Sequence, residues 1–164
     1  MAAGSTYTPI ATTTLASSTA SYTFSSIPST YTDLVVVVNA TTAAGSDLTY
    51  RVNGDTGTNY SSVYLYGTGS TPGSARSLNA SIGYTDYYGT PGTTPSVQII
   101  NFMSYASTSV YKPVLSRANR PSSGVDLTIS LWRSTAAINS ITLTGQTSNL
   151  LTGSTLTLYG IAAA

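Results

Sequence analysis

The chain has 164 residues, 41% hydrophobic and 10% aromatic but only 7% charged, where about a quarter is ordinary for a soluble domain. It contains no Cys and no His, and its five acids are all Asp: Asp33, Asp47, Asp55, Asp86 and Asp126. That inventory excludes Ser-His-Asp and Cys-His nucleophile systems, thiolate chemistry and zinc or haem sites of the usual ligand types, and a net charge of +1 is far from the basic footprint of a nucleic-acid binder.

Ser, Thr, Tyr, Val, Ile and Gly dominate, while Glu, Lys and Gln, the usual fillers of exposed helix, are nearly missing. Short alternating or β-branched runs recur at intervals of about ten residues between Gly, Pro, Asn and Ser clusters, which predicts an all-β sandwich or barrel. A length of 164 residues fits one domain, read as 7–161, with a flexible N-terminal arm over 1–6 and a tail over 162–164. The first residues lack the basic and apolar regions of an export signal, and no run approaches a membrane span, so a soluble protein with no membrane partner is expected.

In chain order, strands are expected over 7–14, 21–24, 33–39, 48–53, 61–66, 76–82, 97–103, 110–117, 125–133, 139–144 and 155–161. Leu34, Val35, Val36, Val37 and Val38 are apolar in succession, so both faces of that strand should be covered, by the chain's own N-terminal segment or a long loop, or by a symmetry mate. Asn53-Gly54-Asp55-Thr56-Gly57 is oxygen-rich but lacks the spaced acids and closing Glu of a calcium loop, and is read as a turn in which Asp caps the backbone. The glycines from Gly67 to Gly73 have no following helix or Lys, which excludes a phosphate cradle. Tyr60, Tyr64 and Tyr66, followed by Tyr84, Asp86, Tyr87 and Tyr88, are the one ligand-like feature, since aromatic faces beside acids suit sugar rings. Set against that is the plain use of Tyr in strands and interfaces.

Pro113 assigns its strand to an edge or a bulge. Along residues 125–133, alternation puts Val125, Leu127, Ile129 and Leu131 on one face and Asp126, Thr128, Ser130 and Trp132 on the other. The only Trp thus falls on the polar face; either a bulge turns it back into the core or it packs against another subunit. A single Lys and few other charges leave little to guard the edge strands, so a neighbouring copy is expected to cover them. No catalytic constellation stands out, because nothing places any two Asp, Asp47 and Asp55 included, at the separation of about 5 to 10 Å that glycoside hydrolysis requires. The chain is read as non-enzymatic, with no cofactor and no metal.

Three segments carry a resemblance: Phe24-Ser-Ser-Ile-Pro-Ser-Thr-Tyr31-Thr-Asp33-Leu-Val-Val-Val-Val38, Leu131-Trp-Arg-Ser-Thr-Ala-Ala-Ile138-Asn-Ser-Ile-Thr-Leu-Thr144, and Gly153-Ser-Thr-Leu-Thr-Leu-Tyr159-Gly-Ile161. In this order they resemble a family of small tailed-phage virion structural proteins, common in phages of cyanobacteria and other aquatic bacteria. The resemblance implies a jelly-roll β-sandwich, a homotrimer, and a capsid decoration (cement) protein on the outer surface of the phage head, made in the host cytoplasm, with the major capsid protein as partner. Trimer contacts are expected from Leu34, Val36, Val38 and Trp132. The alternative is a tail-fibre or receptor-binding module in which Tyr84, Tyr87 and Tyr88, with Tyr64 or Tyr66, engage a host-surface glycan.

Overall fold

Runs in which every second side chain is buried form strands because the pleat sends successive residues to opposite faces. The computed structural model of the chain describes residues 6–87, 91–120 and 124–162. It contains β1 (Tyr7–Thr14), β2 (Ser21–Phe24), β3 (Asp33–Ala40), β4 (Leu48–Val52), β5 (Tyr60–Gly67), β6 (Pro72–Ala80), β7 (Gly83–Tyr84), β8 (Ser96–Phe102), β9 (Lys112–Arg120), β10 (Gly124–Trp132), β11 (Ile141–Gly145) and β12 (Thr155–Ile161). Among the described residues there is no helix. The strands form an antiparallel sandwich, with an eight-stranded sheet in the order β1-β12-β3-β8-β9-β10-β5-β6 and a four-stranded sheet in the order β2-β11-β4-β7.

The apolar core lies where the small sheet covers the β12-β3-β8 part of the large one. Leu34, Val36, Val38, Ile100, Phe102, Leu156 and Leu158 face Phe24, Leu48, Tyr50, Val52, Ile141 and Leu143, and each such side chain contributes on the order of 1.5–3 kcal/mol. Tyr50 sits edge-on to Tyr60 and Phe102, with ring centroids 5.8 and 5.3 Å apart. β3 lies between β12 and β8, so the chain's own strands flank it on both sides. Its outward Val35, in register with Tyr159 and Asn101, is only 5% exposed.

One expectation is corrected here. β9 is neither an edge strand nor bulged: Pro113 pairs with Leu131 of β10, and its carbonyl accepts a hydrogen bond from Met103 N just past the last paired residue of β8. A residue's N and O point to the same side of a strand, so the missing N–H faces a place where the ladder has ended. The real edges also carry their own guards. β1 contains Pro9 and a register shift between Pro9 and Ala11, and β6 opens with Pro72 and is offset from β5 by a register shift beside Tyr60.

Gly83 of β7 lies against the Tyr50 ring, and a Cβ there would fall well inside contact distance of that fully buried side chain. Gly83→Ala is therefore expected to destabilise the fold by about 1–3 kcal/mol, read as a lowered melting temperature. An unchanged melting temperature would show that Tyr50 has room to move.

Candidate functional site

The polar face of β10 is the one turned inward. Asp126, Thr128, Ser130 and Trp132 are buried, while Val125 is 60% and Ile129 51% exposed. The register of β10 with β5 and β9 runs unbroken to Trp132, so no bulge turns the indole inward. Trp132 belongs to the buried face from the start, and the apolar members of the alternation are displaced to the outside. Ser62 and Tyr64 of β5, Gln98 of β8 and Ser116 of β9 extend the inward polar face.

The reason is the chain that crosses beneath it. Residues 85–87 and 91–95 link β7 to β8 without a ladder of their own, and buried backbone groups must find partners. Tyr87 N donates to Asp126 Oδ2 at 2.8 Å, and Ser130 Oγ donates to the Tyr84 carbonyl at 3.1 Å. Ser62 and Ser130 hydroxyls bond each other at 2.7 Å. Thr85 Oγ1 donates to the Leu48 carbonyl at 2.6 Å, and Leu48 N donates to Asp86 Oδ2 at 3.2 Å. The Gln98 amide also donates to Asp86 Oδ2. Pro91 and Gly92 are held by Thr42, whose hydroxyl and N–H donate to their carbonyls at 2.8 Å each.

Four tyrosines close this end of the sandwich. Tyr87 lies between Tyr64 and Tyr66, both at 5.1 Å, and Tyr84 stands edge-on to Tyr64 at 6.1 Å. The structure thus brings together Tyr64, Tyr66, Tyr84 and Tyr87, while Tyr88 lies outside the described residues. The rings are occupied with one another, and of the four only Tyr87, at 42%, is classed as exposed. Their arrangement fastens the crossing segment to β5.

Three acids share this region. Burial pushes the Asp86 carboxyl well above the usual carboxylate range, and the neighbouring Asp47 adds to the shift. Burial and then Asp126 push Asp47 up to about 6. Among the described residues no group of three acids stands close enough to hold a metal ion.

The opposite end is built on the Asn-Gly turn. Asn53 and Gly54 have φ of 53° and 67°, the left-handed pair of a type I′ turn, closed by Asp55 N donating to the Val52 carbonyl at 2.9 Å, and the turn carries the chain from one sheet to the other. Asn53 then pins the β10–β11 connection, its Oδ1 accepting from Asn139 N at 2.9 Å and its Nδ2 donating to the Ala137 carbonyl at 2.7 Å. Asp55 accepts from Gly57 N at 2.8 Å, Asn59 Nδ2 at 2.9 Å and Trp132 Nε1 at 2.6 Å. Partial burial raises its carboxyl, but these three donors outweigh that effect and hold it below the ordinary value. Nearby, the Lys112 ammonium donates to the carbonyls of Val110 at 2.6 Å and Thr135 at 3.2 Å.

Leu34, Val36, Val38 and Trp132, expected at a subunit contact, all lie inside the sandwich of a single chain. The surface offered to a partner is the outer face of the large sheet. Register aligns Val37, Ile99, Arg117, Leu127 and Leu65 in one row across β3-β8-β9-β10-β5, and Val35, Asn101, Leu115, Ile129 and Val63 in the next. Shallow depressions flank Arg117, one lined by Val97 and Ile99 and the other by Leu65, Val125 and Leu127.

The shifted acids oppose one another along the pH axis. The depressed Asp55 value contributes stability that is complete above its unfolded value of about 3.9 and is lost as pH falls through its folded value. The raised Asp47 and Asp86 values contribute stability on the acid side that is lost as pH rises through about 6 and beyond. The melting temperature is therefore expected to peak between about pH 4 and 5, and Asp86→Asn to flatten its decline towards pH 7. A wild-type melting temperature constant from pH 4 to 7 would contradict the assignment of these buried acids. Asp55→Ala is expected to cost about 1–3 kcal/mol near neutrality, measured by thermal or denaturant unfolding.

In comparisons with known families, curated proteins and solved structures, no family model, curated protein or solved structure matches this chain.

Proposed function

We propose that the chain is a non-enzymatic structural protein of a tailed-phage virion, a capsid decoration protein that binds the outer surface of the icosahedral head as a trimer and ties neighbouring capsomers together. The observation that carries this reading is the β9-β10-β5 part of the large sheet, which turns polar side chains inward and apolar ones outward, a distribution suited to a protein that works while covered by others.

The winding of the chain supports a jelly-roll reading. Successive strands β1, β2, β3 and β4 alternate between the sheets, and β7, β8, β11 and β12 return between them, giving the orders β1-β12-β3-β8 and β2-β11-β4-β7. The hairpins β5–β6 and β9–β10 are additions that widen one sheet. Jelly rolls recur in viral capsid domains. The three segments that resemble phage proteins include β3, β11 and β12, all within this scaffold. Three identical attachment sites on one trimer would raise the local concentration of each, so that individually weak contacts act as a clamp.

The alternative, a fibre or receptor-binding module recognising glycans, draws on Tyr64, Tyr66, Tyr84 and Tyr87. The mutual stacking of these rings favours it less, because a sugar needs a ring face that no neighbour occupies. Quantitative mass spectrometry of purified virions tests the main reading. A copy number comparable with that of the major capsid protein is expected. A few to a few dozen copies would move the protein to a tail or vertex appendage, and its absence from the particle would overturn the reading.

A further inference from the structure

The outer face of β8, β9, β10 and β5 gathers exposed apolar side chains that neither the core nor the polar interior accounts for. Val63, Leu65, Val97, Val125 and Ile129 are 46%, 49%, 42%, 60% and 51% exposed. With the partly exposed Leu115, Leu127 and Leu131 they form a continuous apolar field over four neighbouring strands, the kind of exposed patch that marks an interaction site. At the centre stands Arg117, exposed and, among the described residues, without a hydrogen-bond or ion-pair partner. The one acid on the outward face of the same sheet is Asp33 on β3, whose Oδ1 accepts from Ser104 N at 2.7 Å while Oδ2 remains for another donor.

We propose that copies of this chain meet through this face, the β9-β10-β5 half of one copy covering the β3 side of the next so that Arg117 reaches Asp33. Three observations select a second copy as the occupant. The field is continuous and apolar, as the centre of a specific interface is. The face carries its own charge complement, Arg117 on one half and Asp33 on the other, so no outside charge is required. A chain with 7% charged residues has little repulsion to keep such faces apart. A lipid surface fits worse, because Arg117 would be driven into the acyl region with the side chains around it. The inference draws on the assembly part of the preceding reading and does not depend on the phage.

Sedimentation velocity of the purified full chain at about 50 μM tests it. A single oligomeric species is expected for the wild type. Ile129→Glu and Val63→Glu, at positions already exposed in the folded chain, are expected to shift it to monomer with an unchanged circular dichroism spectrum. Arg117→Asp is expected to weaken association at least about tenfold, and the double variant Asp33→Arg/Arg117→Asp to restore it. A monomeric wild type, an Ile129→Glu variant that keeps the wild-type mass, or a double variant that fails to recover would each overturn the proposal. So would a monomeric wild type that co-sediments with phosphatidylcholine or phosphatidylglycerol vesicles. Failure of the virion reading appears instead in the particle copy number, which leaves these masses untouched.

Discussion

The structure depends on finding hydrogen-bond partners for a stretch of irregular backbone laid between the sheets. Where β7 gives way to the crossing towards β8, the chain leaves its ladder while Thr85, Asp86, Pro91 and Gly92 are still buried. An unpaired buried amide costs on the order of 1–3 kcal/mol, so several in a row would unfold a domain of ordinary stability. The facing strands meet the requirement with Asp126 and Ser130, which bond the backbone of Tyr87 and Tyr84, while Ser62 and Gln98 bond the side chains of Ser130 and Asp86 beside them. Since a strand has only two faces, spending the inner one on polar groups sends Val125, Leu127, Ile129 and Leu131 to the outer one. The apolar exterior is thus a consequence of how the interior is satisfied.

The two ends of the sandwich solve different problems. At the Tyr87 end the interior is polar, burial and neighbouring carboxylates push Asp47 and Asp86 upward, and aromatic rings close the opening. At the Asn53 end the interior is apolar, and side chains reach out from the Asn-Gly turn to capture loops. Asn53 holds the β10–β11 connection, Asp55 holds the indole, and Lys112 gathers carbonyls that no strand provides for. Between them, the Tyr50 ring is packed on all sides by Tyr60, Phe102 and the bare backbone of Gly83.

Much of the fold was legible in the sequence because strands leave a period-two trace. Ten of the expected strands fall within a few residues of observed ones, and the 76–82 run overlaps the end of β6. The Asn-Gly turn was equally plain, since only such residues accept two left-handed positions in succession. What alternation does not encode is which face points inward. In β10 the apolar set reads as core, and only the position of Trp132 on the opposite face hinted at the inversion. β7 was invisible because two residues carry no period, and its partner was the distant Thr49–Tyr50 pair. Pro113 misled because the side of the strand on which its N lies depends on where β8 stops, a long-range fact. Of the candidate site, the clustering of Tyr64, Tyr66, Tyr84 and Tyr87 was foreseeable as a group, but their stacking on one another was not. Leu34, Val36 and Val38 were expected at a subunit contact because the run is apolar on both sides. They instead pack against Phe24, Leu48, Tyr50, Val52, Ile141 and Leu143 of the small sheet of the same chain.

The hydrogen bond from Trp132 to Asp55 has a spectroscopic consequence. The chain has a single indole, and it sits beside a carboxylate at the Asn53 end, whereas the Tyr64, Tyr66, Tyr84 and Tyr87 rings sit at the other. Emission excited at the red edge of the absorption band reports only the first end, whereas tyrosine absorbance, shared by 13 rings, includes the four stacked at the second. Loosening of the polar end ahead of the indole end would therefore register as a change in tyrosine absorbance that precedes the change in emission, in a protein that carries no added label.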